Sequence, residues 1–148
     1  MVYRRQNRLD EAEAMYLRSI ELNDQNNVPL QNLAVVYRLQ NRLNDAYELY
    51  VKMIALNENN PESYYGIGEL YYIVGNYSYS IAFFDKALEL YIAQNSALVY
   101  DVFFYKGVIF YRTGNFDEAL RFLEEARKGN PNNATIENLI NDIKQAKT

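Results

Sequence analysis

One mark recurs along this chain at a nearly fixed interval. Asn7, Asn41 and Gly75 stand 34 residues apart, and Gly114 follows 39 residues after Gly75. The surroundings recur with the mark. The second residue after it is apolar (Leu9, Leu43, Tyr77, Phe116) and the fifth is small (Ala12, Ala46, Ser80, Ala119). The ninth is large (Tyr16, Tyr50, Phe84, Leu123), and an aromatic stands four before it (Tyr3, Tyr37, Tyr71, Phe110). Two marks even share a phrase, QNRL, beginning at Gln6 and at Gln40. Self-similarity at this period means stacked supersecondary units that bury their apolar faces on one another.

The content of a unit follows from its spacing. In "PESYYGIGELYYIVGN", Tyr64, Ile67, Gly68 and Tyr71 fall on one helical face. In "YSYSIAFFDKALELY", Ser80, Phe84, Ala87 and Leu88 do the same. Gly75 and Gly114 suit the left-handed residue that ends a helix, and asparagine is the next-best occupant, as at Asn7 and Asn41. Each mark is therefore expected to be the corner of a helical hairpin. Ala34, Gly68 and Gly107 let paired helices approach closely. Pro29 and Pro61 fit a first helical turn, where a missing N–H costs nothing.

This pattern resembles the tetratricopeptide repeat family. Tyr64, Ile67, Gly68, Tyr71, Phe84 and Ala87 carry its signature in one unit. Phe103, Gly107, Phe110, Ala119, Leu123, Ala126 and Pro131 carry it in the next. The resemblance implies an all-α fold, a right-handed α-solenoid of hairpins with a C-terminal capping helix. The expected division is a partial repeat over 1–26, repeats over 27–60, 61–99 and 100–133, and a cap over 134–148. Ile136, Leu139, Ile140 and Ile143 form the one apolar stripe of that cap. Ser80 and Lys106 depart from the family pattern without threatening the fold. The longer last interval calls for about five extra residues in "LYIAQNSALVYDV", with Asn95 and Ser96 as break and cap. Only "MVYRRQ" precedes the first corner. About eight residues of a first helix are then missing on the period, so the chain is expected to begin inside a repeat.

Composition removes several function classes. Histidine and cysteine are absent, so a nucleophile paired with a neutral-pH base is not expected, and neither is thiolate or disulfide chemistry. No phosphate loop, zinc motif or calcium loop occurs, and neither cofactor nor metal is expected. Carboxylates such as Asp117, Glu118, Glu124 and Glu125 read as a solvated helix surface. A net charge of -4 argues against nucleic acid, and Arg4, Arg5, Arg8 and Lys128 share no face. No membrane span or apolar leader is read, and a chain without cysteine fits the cytoplasm. The chain reads as a non-enzyme.

What remains is the inner surface of the array, which the resemblance places on the first helix of each hairpin. The residues offset from the packing face are Val28, Gln31, Asn32, Val35, Arg38 and Leu39 in the first full unit. They are Glu62, Tyr65, Glu69, Tyr72 and Ile73 in the second. In the third they are Asp101, Phe104, Tyr105, Val108, Tyr111 and Arg112. This set is tyrosine-rich and bordered by carboxylates, so it suits a peptide or partner helix with basic groups, in an adaptor or chaperone-like role. Some family members clamp a C-terminal carboxylate with basic residues. The matching positions here are Gln31, Val35, Gly66, Asp101 and Tyr105, none of them basic, so that use is disfavoured. The alternative function is a structural scaffold, a homo-oligomer that stacks through its uncapped N-terminal end.

Overall fold

The computed structural model describes the backbone of residues 2–147 and the side chains of residues 5–147. The side chains of Tyr3 and Arg4 lie outside the described residues. Eight helices follow one another: α1 Val2–Leu22, α2 Asn27–Leu39, α3 Leu43–Leu56, α4 Pro61–Ile73, α5 Tyr77–Ala93, α6 Val99–Arg112, α7 Phe116–Gly129 and α8 Ala134–Ala146. Each packs on the next, and α2 also touches α4 across the array.

The corners are built alike. Asn41, Gly75, Asn95 and Gly114 all have positive φ, between 54° and 81°. At Gly75 the N–H bonds the Tyr72 carbonyl and the next N–H, of Asn76, bonds the Tyr71 carbonyl. The same pair of bonds recurs after Asn41, Asn95 and Gly114. This is the Schellman ending, which satisfies carbonyls that the helix leaves open. The N-termini are capped by asparagine side chains, with Asn26, Asn60, Asn76 and Asn133 accepting from Val28, Glu62, Tyr79 and Ile136 N–H groups. Each such cap contributes about 1 kcal/mol.

Asn7 breaks this rule and corrects the expected first corner. It lies inside α1, which runs unbroken from Val2 to Leu22. A corner stabilises the chain only when the helices on both sides pack together, and six residues before Asn7 make less than two turns. Continuing the helix satisfies the same carbonyls, through a stretch rich in glutamine, arginine, leucine and alanine.

Packing follows the small positions. A Cβ on Gly68 would sit 2.8 Å from the Phe84 ring, and one on Gly107 would sit 2.7 Å from Leu123. Ala34, Ala46, Ala87 and Ala119 are fully buried at the matching contacts. The departures from the repeat pattern are absorbed. Ser80 Oγ donates to the Gly68 carbonyl at 2.8 Å, a bond that ties α5 to α4. Lys106 is buried, with Nζ 2.5 Å from Asp85 and 4.4 Å from the centre of the Phe122 ring. The five extra residues are distributed. α5 has 17 residues where α3 and α7 have 14, α6 has 14 where α2 and α4 have 13, and the loop at 94–98 is one longer than that at 57–60.

Three apolar clusters run along the array. The first joins α2, α3 and α4, the next centres on Phe84, Tyr91, Val102 and Ile109, and the last joins α7 to the cap α8. In α8, Ile136, Ile140 and Ile143 are buried and Leu139 packs beside them, as the stripe implied. Tyr64, Tyr71 and Phe103 are only half-buried at the edges of their clusters.

Candidate functional site

The residues singled out on α2, α4 and α6 meet across helices. Gln31 Nε2 donates to Glu62 Oε2 at 3.3 Å, joining α2 to α4. The Tyr105 hydroxyl donates to Glu69 Oε2 at 2.8 Å, joining α6 to α4. The Tyr105 ring stacks on Phe84 at 4.8 Å and meets Tyr65 and Tyr72 edge-on at 5.9 and 5.2 Å. Phe104 stands 6.3 Å from the same ring. Arg112 lies 5.3 Å from the Tyr72 ring centre and donates to the Tyr77 hydroxyl at 3.4 Å. Such edge-to-face contacts add about 0.5–1.5 kcal/mol each beyond burial. The result is a tyrosine sheet with polar tips, fixed by carboxylates.

The middle of this face contains a gap filled from behind. Glu62, Gly66 and Glu69 are spaced four and three apart, so they form one row on α4. Gly66 has no side chain to contribute, and Tyr50 of α3 occupies the place. A Cβ on Gly66 would lie 2.2–2.6 Å from the Cζ, Cε1 and Cε2 atoms of that ring. Tyr50 is 3% exposed. Its hydroxyl-bearing edge therefore lies on the row, one turn from each carboxylate. Among the described residues, no hydrogen-bond partner holds that hydroxyl. The matching place is Asn32 on α2 and Tyr105 on α6, so the opening exists on α4 alone.

Burial shapes the electrostatics. Desolvation, followed by the nearby Glu69 charge, pushes the Tyr50 phenol up to about 12. Burial raises Tyr65, Tyr91 and Tyr105 above the ordinary phenol value as well, with Glu69 or Glu62 adding to the effect. The Glu69 carboxyl is held above the usual carboxylate range by burial, although the Tyr105 hydroxyl and Arg38 pull it down. Asp101 is exposed, yet partial loss of solvent raises its carboxyl too. Because folding raises Glu69, its contribution is fully favourable below the unfolded value and is lost as pH rises through the folded one. Three carboxylates thus share this face with one guanidinium, Arg38. Arg38 makes no ion pair among the described residues, and its Nε is buried without a partner.

Not every residue chosen from sequence joins in. Val108 is buried at 9% exposure and belongs to the packing, which corrects its assignment to an open inner face. The reason is the close α6–α7 approach at the neighbouring Gly107. Asn32 and Val35 are half-buried without a polar tie to this network, and Tyr111 turns toward Phe116 at 6.0 Å. Val28, Leu39 and Ile73 are exposed. Sequence reasoning missed Tyr50, Tyr91 and the opening at Gly66. The signal was available, because a glycine interrupts a row of large polar residues exactly one turn from two glutamates.

Elsewhere, an open hollow of about 300 Å³ is lined by Leu43, Asn44, Tyr47, Leu70, Tyr71 and Val74, with no charged group. Among the described residues, no cluster of histidine, cysteine or carboxylates is placed to hold a metal ion. No described helix is long and apolar enough to cross a membrane.

Comparison with known proteins places this geometry. Models described as tetratricopeptide repeat match residues 1–28 and 59–131, and one described as TPR repeat matches residues 34–75. No curated protein matches the chain. Among solved structures, a crystal structure of MamA superposes with a TM-score of 0.78 at 21% identity, covering 97% of this chain and 81% of that one. PilF of Pseudomonas aeruginosa gives a TM-score of 0.85 at 17% identity, over 98% of this chain and 64% of its own. The N-terminal domain of stress-induced protein-1 from C. elegans gives 0.69 at 15% identity, over 80% and 94%. At these identities the likeness establishes the fold alone.

Proposed function

The chain belongs to the tetratricopeptide repeat family, whose arrays are protein–protein interaction modules, and from that premise we propose that this one binds a peptide or partner helix along the shared face of α2, α4 and α6. The observation that carries the reading is the Tyr105–Glu69–Tyr65 arrangement, in which aromatic area and polar tips are held rigid before any ligand arrives. Tyrosine presented this way gives large contact area at low entropic cost. The raised Glu69 supports the same reading. At neutral pH its ionisation opposes folding, a cost that packing alone does not require.

The test is selection of peptides from a random-sequence display library on the immobilised protein, followed by titration. Binding is expected to fall about ten-fold or more in Tyr72→Ala and Phe104→Ala, the scale of an interfacial aromatic anchor. Peptides that bind both variants as they bind the parent overturn the groove reading. In this reading the protein acts as an adaptor or in a chaperone-like role, and the absence of cysteine fits a cytoplasmic setting.

A second reading has its own observation. Met15 and Leu22 are 59% and 81% exposed on α1, whereas their counterparts one period later, Leu49 and Leu56, are covered. An apolar helix face left open in this way suits self-association of a scaffold. Light scattering over a concentration series separates the two, since a mass fixed at one chain removes the scaffold.

A further inference from the structure

We propose that the gap over Gly66 is a seat for one lysine side chain of the bound peptide, an inference that rests on the groove reading above. The opening is bounded by Glu62 and Glu69 on α4 and floored by the edge of Tyr50. Each boundary group retains an unused acceptor. Gln31 engages Oε2 of Glu62 and Tyr105 engages Oε2 of Glu69, which leaves Oε1 of each carboxylate without a hydrogen bond among the described residues. The Tyr50 hydroxyl has no partner either, although its side chain is 97% buried (3% exposed) and its edge lies in the row. A buried polar group left unpaired is costly, so this hydroxyl calls for something to meet it.

An ammonium group answers that arrangement in count and in charge. It carries three donors and no acceptor, and the gap offers three acceptors. Arginine fits less well. Its planar fork favours both oxygens of one carboxylate, and here one oxygen of each glutamate is already committed. A metal ion fits less well again, because the carboxylates do not gather into a chelating group among the described residues. The charge balance agrees. Glu62, Glu69 and Asp101 face a single guanidinium, so the seat lies in a negative field before the ligand arrives. The burial that raises the Glu69 carboxyl is offset when a cation sits beside it. This is the reverse of a clamp for acidic chain ends.

The experiment uses the peptides selected as above, resynthesised with acetylated N-termini and amidated C-termini so that lysine supplies the only ammonium. Expected is a lysine in the selected sequences whose replacement by methionine weakens binding about ten-fold or more, with arginine giving only partial recovery. The doubly substituted E62Q/E69Q protein should lose the preference for lysine over methionine. Tyr50→Phe, which retains the ring and removes only the unpartnered hydroxyl, should weaken lysine peptides several-fold without moving the urea midpoint. Peptides that depend on Tyr72 and Phe104 but contain no lysine, or that bind E62Q/E69Q as they bind the parent, overturn the lysine seat and leave the groove standing. Peptides indifferent to Tyr72 and Phe104 overturn both.

Discussion

The two QNRL phrases have identical sequences and different structures. Gln40–Leu43 is a corner, in which Asn41 takes φ 62° and the chain reverses into α3. Gln6–Leu9 is ordinary helix inside α1. The second phrase also holds the first. Arg42 Nη1 reaches Glu13 of α1 at 2.8 Å, its Nε reaches Asp45 at 2.9 Å, and its guanidinium lies 4.1 Å from the Tyr37 ring centre. Gln40 adds bonds to Asp10 and Glu13. The difference teaches that a repeat motif permits a corner but does not compel one. The packing of two helices across it decides.

Position-matched substitutions test this, each pair 34 residues apart and each read as a shift in urea midpoint. The largest contrast is expected at the ninth residue. Tyr50→Ala should cost about 3–5 kcal/mol, because the ring is buried and fills the space over Gly66. Tyr16→Ala, at the half-buried equivalent on α1, should cost about 2 kcal/mol. Equal losses would mean that α1 packs as completely as α3. Next comes the fifth residue. Ala46→Leu overfills a site with no exposure and should cost about 1–3 kcal/mol, while Ala12→Leu should stay within about 0.5 kcal/mol.

The corner residue itself ranks third. Asn41→Ala forces alanine into the left-handed region at about 1 kcal/mol, and Asn41→Gly should raise stability. Asn7→Ala should raise it by about 0.5 kcal/mol, since alanine is the better helix former. Loss of stability in Asn7→Ala would restore a corner there. The smallest effect belongs to arginine. Arg42→Ala should cost at most about 1 kcal/mol, fading with added salt because the pair is partly exposed, whereas Arg8→Ala should be silent.

Periodicity made most of the fold legible. The corners at Asn41, Gly75 and Gly114, the break at Asn95, the close approaches at Gly68 and Gly107 and the isoleucine stripe of α8 all followed from residue type and spacing. Asn7 misled because its neighbours match the pattern and only the missing partner helix does not. The face of α2, α4 and α6 was legible as a set of positions, and its inter-helix bonds at Glu62 and Glu69 involve residues chosen from that set. Val108 was misplaced because a helical offset gives direction but not depth. Tyr50 was invisible for a related reason. It belongs to a second helix, and only coordinates reveal that its ring passes beneath a glycine on the first.

That passage through Gly66 limits how far the array is modular. Hairpin repeats are often treated as interchangeable blocks, with recognition carried by one helix and support by the other. Here, transplanting α4 into another array would move Glu62, Tyr65 and Glu69 and leave the Tyr50 hydroxyl behind. The exchangeable unit at this point straddles two repeats, α3 of one with α4 of the next.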